Sequence, residues 1–367
     1  MGKRKQVIVP KRFIDRFGEN LNLWSFSKIN TFENCSFEYY LARVKKVESK
    51  DNIYTVAGSC SHDILEDFYN GKIKYENMIN RFEDGFLDIE ISDFRFSNDE
   101  EKNIKMRKKY KECMVHFFNN HKPVNTKVIS EQTVWIDVNG NLFLGYVDSI
   151  HKEDDFYIIT DYKSSSIYKG KKIQDQAKQL RLYALGLHQY GVELEKIKVR
   201  WNFLKYANIT YKLKNGKFKT TSAERNSWVK AIETPLKKDI KSVYNIENWE
   251  VDLKFEECVK NNSLSHLQDE IKNKYEVGDC YVYPEINQKI LDELVIEFEK
   301  SINIINSRTD LENDWEREEI GQKDSFYCSV LCGVKSHCKY YKKHLNNNEC
   351  KAKNEENILN DLVLPWE

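Results

Sequence analysis

Two aspartates and a lysine stand close together in LGYVDSIHKEDDFYIITDYKSSS, residues 144–166. The stretch reads as a hairpin whose turn is centred on Asp154 and Asp155. Residues two apart on a strand share a face, so Asp161 and Lys163 project together and Tyr162 projects the other way. A register symmetrical about the turn sets Asp148 opposite Asp161. Like charges directly across a ladder are destabilising. The arrangement makes chemical sense when a divalent cation sits between the two carboxylates. Mg²⁺ commonly uses one or two carboxylates and keeps several waters, which leaves room for a substrate phosphate. A lysine two residues on can orient a nucleophilic water and stabilise charge on a scissile phosphate.

Asp-x-Lys alone is common by chance, and a surface hairpin with solvated Asp–Lys pairs would explain it equally well. Three surrounding features shift the balance. In AGSCSHDILEDFY, His62 and Glu66 lie one helical turn apart on one face, and a neutral imidazole can complete a metal shell. In QDQAKQLRLYALGL, Gln176, Gln179 and Tyr183 share a face, while Ala177, Leu180, Ala184 and Leu187 form an apolar stripe that reads as core. The third feature is the order: His, then Gly-x-x-Asp, then Asp-x-Lys, then Gln-x-x-x-Tyr.

In that order the chain resembles the PD-(D/E)xK nuclease superfamily, specifically the RecB-like branch that includes AddB and CRISPR-associated exonucleases. The resemblance is carried by SFSKINTFENCSFEYYL, AGSCSHDILE, LGYVDSI, IITDYKSSS and QLRLYA. It implies an α/β, restriction-endonuclease-like fold: a mixed central β-sheet flanked by helices, with a helical insertion and an iron–sulfur-stapled C-terminus. It further implies that Asp148 and Asp161 ligate Mg²⁺ or Mn²⁺, that His62 and the backbone carbonyl of Tyr162 also face the metal, and that Lys163 is the catalytic lysine. Gln179 and Tyr183 would form the motif beside the active site. Glu131, at the head of the preceding strand, sits where relatives often carry an acid. Ser36 departs from the pattern, since relatives usually have proline after the cysteine.

Nine cysteines, an odd number, make a disulfide framework a poor explanation. Cys60, Cys113, Cys258, Cys280 and Cys350 are scattered and read as small buried hydrophobes. Cys328, Cys332 and Cys338 stand close together in YCSVLCGVKSHCKYY with the spacing C-x3-C-x5-C. Three cysteines need a fourth ligand, and zinc could take it from Cys350, His337 or His344. The resemblance points instead to Cys35, because iron–sulfur members of the branch have one cysteine before the nuclease core and three after it. Their trio is C-x2-C-x5-C, one residue shorter than here. The expected centre is a [4Fe–4S] cluster on Cys35, Cys328, Cys332 and Cys338. It would close a loop of nearly the whole chain, which points to a structural role.

The wider sequence frames these motifs. The 367 residues carry 58 basic and 58 acidic side chains, for a net charge of zero, with 40% hydrophobic residues. That argues against a uniformly basic nucleic-acid coat; the basic runs KMRKKYK (105–111) and KGKK (169–172) read as a solvated helix face and a loop. No apolar run approaches the roughly 18 residues of a membrane span, the N-terminus lacks a secretory pattern, and no phosphate-binding GK[ST] loop occurs. A cytoplasmic protein is expected.

The pattern predicts an arm and helix carrying the first cluster cysteine over 1–55, with Ser27 as N-cap. The nuclease core follows over 56–221, then a mainly helical region over 222–320, irregular near 274–284. A cysteine-rich segment and polar tail complete the chain over 321–367, ending in LNDLVLPWE. The function expected is metal-dependent hydrolysis of DNA, as an exonuclease on single strands or ends in recombination, repair or replication, with a helicase or recombination protein as a possible partner. A non-catalytic DNA-binding recombination subunit is the competing class, and a zinc-finger-like interaction protein explains only the cysteines.

Overall fold

The computed structural model describes residues 7–19, 21–213 and 215–347. Cys350 and the LNDLVLPWE segment lie outside the described residues. In chain order come α1 (Lys11–Phe17), α2 (Phe26–Asn34), α3 (Ser36–Tyr39), α4 (Ile53–Tyr69), α5 (Met78–Ile91) and α6 (Glu100–Asn120). Next are β1 (Val128–Val138), β2 (Asn141–Glu153), β3 (Phe156–Lys163), α7 (Lys171–Asp175), α8 (Lys178–Gln189), β4 (Ile197–Lys212) and β5 (Phe218–Glu224). The remainder is α9 (Glu233–Tyr244), α10 (Asn248–Asn261), α11 (Asp269–Lys272), β6 (Tyr275–Val282), α12 (Gln288–Ser307) and α13 (Gln322–Phe326). No helix among the described residues is long and apolar enough to cross a membrane.

The chain divides into two compact units. The larger comprises 53–136 and 144–292; the smaller comprises 1–52, 137–143 and 293–367.

The larger unit is built on a six-stranded mixed sheet in the order β1-β2-β3-β4-β5, with β6 pairing to β4. The expected turn falls at Asp154–Asp155, where Asp154 adopts a φ of 51°, and the antiparallel β2–β3 register runs from Glu153↔Phe156 to Ser149↔Thr160. β3 then pairs in parallel with the first half of β4 after the α7–α8 crossover. A parallel pair needs such a crossover, and helices are its usual form. β4, with 16 residues, is long enough to pair with β3, β5 and β6 in turn. Helices α4, α5 and α6 cover one region of the sheet through Phe82, Phe86, Tyr110, Phe117 and Phe118, packed with Tyr162 and Leu204. Burying each such aromatic is worth about 1.5–3 kcal/mol. A second cluster joins Ile209, Tyr211 and Tyr275 to α9 and α10 through Leu236, Ile240, Val251 and Phe255.

Three local departures from the sequence pattern have physical causes. Residues 275–282, irregular by pattern, are strand β6. Their central Gly278 and Asp279 interrupt the apolar alternation, and pairing with β4 outweighs weak propensity. The helix expected to run on from Ser27 breaks at Cys35, which is extended (φ −159°, ψ 107°) and caps α3 through its sulfur, 3.4 Å from the Glu38 N–H. The N-cap of α2 is Ser25, whose hydroxyl accepts from Lys28 N–H at 3.3 Å, while Ser27 lies inside the first turn.

In the smaller unit, residues 36–52 are knitted to residues 315–340. Ser36 Oγ donates to the Trp315 carbonyl at 3.1 Å, Lys50 N–H to Gly333 and Asn52 Nδ2 to Leu331. Tyr39 stacks on Trp315 at 5.4 Å, and Phe37 meets Tyr340 edge-on at 5.0 Å. The hydroxyl that stands in place of the usual proline at 36 thus earns a hydrogen bond to the distant segment.

A buried polar network ties β6 to the rest of its unit. Asp279, 1% exposed in its side chain, accepts from Arg225 at 2.7 Å and from His121 at 2.7 Å, and Tyr69 O–H meets the far nitrogen of His121 at 3.0 Å. Burial pushes the Asp279 carboxyl up, but the His121 and Arg225 hydrogen bonds and charges outweigh it and hold the pKa below the ordinary value. A carboxyl depressed in the folded state contributes stability above its unfolded pKa, and that stability disappears as pH falls through the folded value, below about pH 4. Asp279→Asn leaves Arg225 buried and underpaired, and is expected to cost about 3–5 kcal/mol at pH 7. Urea midpoints between pH 3 and 7 should show that loss together with a flatter acid limb. An acid limb as steep as wild type would assign the response to other carboxylates.

Candidate active site

The backbone N–H and carbonyl of Tyr162 organise the site. Its N–H donates to Asp148 Oδ2 at 2.9 Å, and its carbonyl accepts from His62 Nε2–H at 2.8 Å. A carbonyl can only accept, so Nε2 carries the proton in this arrangement. The other ring nitrogen of His62 lies 3.5 Å from Asp148 Oδ2. His62 is placed there by α4, whose buried stripe of Ala57, Ser61, Ile64 and Leu65 fixes the helix and leaves the next position free to face β3.

Asp161 is buried, with a side chain 4% exposed, and lies 2.7 Å from Lys163 Nζ. Even so, its Oδ2 receives no well-aligned hydrogen bond. Burial raises the Asp161 pKa, Lys163 opposes this, and the charge of Asp148 adds to it, leaving the carboxyl above its ordinary range. Asp148 feels the same burial, but His62 and Lys163 and the Tyr162 N–H outweigh it and hold the pKa down. Burial alone would depress His62, yet Asp148 and Asp161 keep the imidazole above its usual value. The Lys163 ammonium is likewise held charged by the two aspartates against its burial. The site is therefore a set of opposed charges kept in low dielectric, the condition in which a further cation or anion is felt most strongly.

Helix α8 closes the other side. Gln179 Oε1 is 3.5 Å from Lys163 Nζ, and Gln179 Nε2 donates to Tyr183 O–H at 3.0 Å. Ala177, Leu180, Ala184 and Leu187 are buried as the apolar stripe requires. Gln176 is different: it lies between α7 and α8, is exposed, and joins neither Gln179 nor Tyr183. The structure thus brings His62, Asp148, Asp161, Tyr162, Lys163, Gln179 and Tyr183 into one constellation. Glu131 is near enough that, after burial, the charges of Glu66 and Asp148 push its pKa up, and it takes a positive φ of 49°. A residue whose role sequence spacing did not reveal is Gly145: a Cβ there would lie 2.5 Å from the Tyr183 ring.

A scan against family models matches the PD-(D/E)XK nuclease superfamily over residues 23–339, most of the chain. The chain belongs to that superfamily. No curated protein gives a match to it. PD-(D/E)XK nucleases are DNA-hydrolysing enzymes that generally use Mg²⁺ or Mn²⁺, and the expected mixed sheet flanked by helices is the one observed.

Among the described residues, no group of three or more His, Cys, Asp or Glu side chains converges to metal-ligand geometry. The donors nevertheless suit the cation of a PD-(D/E)XK nuclease. They are hard oxygens plus one imidazole, and Asp161 Oδ2 is a buried oxygen whose near partner is the Lys163 ammonium, 2.7 Å away but poorly aligned. The 2.8 Å contact between His62 Nε2 and the Tyr162 carbonyl is a hydrogen bond, so His62 would join the ligands of such an ion only after giving up that proton.

The smaller unit gathers the predicted cysteines. Cys35, Cys328, Cys332 and Cys338 are all buried, and the electrostatic influence of Cys35 and Cys338 reaches Cys328 and Cys332. Cys35 also raises Cys338, after burial. Arg317, which no motif marks, and Glu38 border the group: Arg317 approaches the sulfurs of Cys35 and Cys328, and Glu38 accepts from Tyr327 O–H at 2.6 Å. The basic run on α6 is taken up in ion pairs, Lys109 with Glu224 at 2.6 Å and Lys111 with Glu90 at 3.6 Å, as a solvated face would be.

The Gly145 contact yields a direct test. Gly145→Ala should force the Tyr183 ring away from Gln179 and cost about 1–3 kcal/mol in denaturant unfolding, the usual penalty of overpacking. Combining it with Tyr183→Ala should cost clearly less than the sum of the two single changes. Strict additivity would show that the two residues do not share the space.

Proposed function

We propose that this protein is a divalent-cation-dependent deoxyribonuclease, an exonuclease that acts on single-stranded DNA or DNA ends in recombination, repair or replication. The observation that supports it most is the grouping of Asp148 and Asp161 with Lys163 in a largely buried site, with Asp161 Oδ2 2.7 Å from the Lys163 ammonium. A non-catalytic platform has no use for that arrangement, in which two carboxylates that repel each other are kept together out of water.

When bound, Mg²⁺ or Mn²⁺ supplies positive charge that polarises a phosphodiester and favours ionisation of a water. Asp148, Asp161, the Tyr162 carbonyl and, once neutral, His62 would hold that ion. Tyr162 N–H fixes one carboxylate oxygen of Asp148, so Asp148 presents a fixed lone-pair direction. Lys163 is positioned by Asp161 on one side and Gln179 on the other, and its ammonium orients the attacking water and offsets charge growing on the phosphate. Tyr183 holds Gln179, which in turn keeps Lys163 aimed. In the smaller unit, Cys35, Cys328, Cys332 and Cys338 hold a [4Fe–4S] cluster; soft thiolates and a buried setting suit it.

Two outcomes are expected. Asp161→Ala or Lys163→Ala should lower cleavage of end-labelled linear single-stranded DNA with Mg²⁺ or Mn²⁺ by at least about 100-fold, with circular dichroism unchanged and closed circles resistant to the wild-type enzyme. Wild-type cleavage by either purified variant would sink the assignment, and rapid loss of circles would make it an endonuclease.

Protein purified without oxygen should be brown, carry about four irons per chain, and lose them in Cys35→Ser. A colourless, zinc-loaded protein indifferent to Cys35→Ser would refute the cluster while leaving the nuclease standing.

A further inference from the structure

Arg317 belongs to no motif, yet its side chain is only 13% exposed and its guanidinium points into the cysteine group. Nη1 lies 3.5 Å from Cys35 Sγ and 3.4 Å from Cys328 Sγ. The head is fixed from behind: Nη2 donates to Asp324 at 2.9 Å and Nε to the Glu318 carbonyl at 2.9 Å. Its own N–H donates to Tyr340 O–H at 3.3 Å, which anchors the backbone as well. With these anchors the fork stays aimed at two sulfurs that come from opposite ends of the chain.

We propose that Arg317 is the built-in counter-charge of the four-cysteine centre, a positioning residue that holds Cys35 and Cys328 for assembly and sets the charge the centre carries. This rests on the iron–sulfur reading above. Three arguments lead to it. Four thiolates bring more negative charge than a cluster core offsets, and burying net charge without a partner is costly. Arginine cannot be deprotonated in a protein, so its charge does not depend on pH, and its planar fork can serve two acceptors together. Finally, cluster potentials follow net charge and hydrogen bonds to sulfur. A fixed cation donating to two ligand sulfurs favours the more negative, reduced form and so raises the potential.

Near Cys332 stands Glu38, a carboxyl that accepts from Tyr327 O–H at 2.6 Å. Arg317 is the cation whose guanidinium hydrogen-bonds the cysteine sulfurs, at Cys35 and Cys328, while Arg43 acts on Glu38 through its charge alone.

The test uses the full chain purified without oxygen, as wild type, Arg317→Lys and Arg317→Gln. Iron per chain is measured, and the cluster is reduced by one electron with dithionite through mediator dyes while its paramagnetic signal is followed. The expected result is a lower midpoint potential in Arg317→Gln, with reduction about tenfold less favoured (59 mV for one electron), or iron loss in Arg317→Gln that Arg317→Lys largely restores. Wild-type iron together with wild-type potential in Arg317→Gln would overturn the role of Arg317 and leave the cluster in place. Equal iron loss and an equal drop in melting temperature in both variants would mark a packing residue and overturn it too. Zinc in the wild-type protein would remove the cluster and this role together.

Discussion

The backbone of one residue, Tyr162, carries the chemistry of the larger unit. Because Tyr162 lies between Asp161 and Lys163 on β3, its side chain points away from theirs while its N–H and C=O lie in the sheet plane. The N–H takes Asp148 and the carbonyl takes His62, so the strand that bears the two functional side chains also binds the residues from β2 and α4. Alternation of side chains and availability of backbone groups are one geometric fact used twice. The Tyr162 ring, directed the other way, is packed with Leu204 in the aromatic core under α4–α6. A shift of β3 by one residue would turn Asp161 and Lys163 into that core and bring the phenol to the site. The register is therefore held by burial on one side and by charge on the other.

The same economy operates at Cys35. Extended backbone between α2 and α3 costs a continuous helix, but it turns the sulfur out of the helical spiral and lets the Glu38 N–H steady it. Its neighbours on the chain, Phe37 and Tyr39, supply the aromatic contacts to Tyr340 and Trp315. Polar and apolar residues at this break thus serve the same end, fixing the N-terminal segment against residues from near 315 to 340.

The hairpin, its turn and the facing aspartates were legible in the sequence because strand alternation has a period of two and a two-residue turn leaves little freedom of register. The apolar stripe of α8 was legible for a similar reason. Strand β6 was not: Gly278 and Asp279 look like loop residues, and only pairing with β4 and the buried Arg225–Asp279–His121 contacts explain them. Gln176 looked equivalent to Gln179, since spacing says nothing of the interruption between α7 and α8. Helical periodicity ran through Cys35 without a sign of the break. Arg317 sits in a run of charges typical of a surface, and its burial arises from residues far away in sequence. What sequence conceals here is contact between distant segments.

β4 sits between β3, completed by residue 163, and β6, which ends at residue 282. During vectorial synthesis the catalytic strands therefore leave the ribosome long before the strand that covers the far edge of β4. Until residues 275–282 emerge, that edge offers unpaired N–H and C=O groups on a run rich in Trp, Phe and Ile, the kind of surface that invites adventitious pairing. A nascent chain stalled between these points would expose an open sheet with its acids and lysine already made. The order of translation thus leaves one edge of β4 open until residues 275–282 are made.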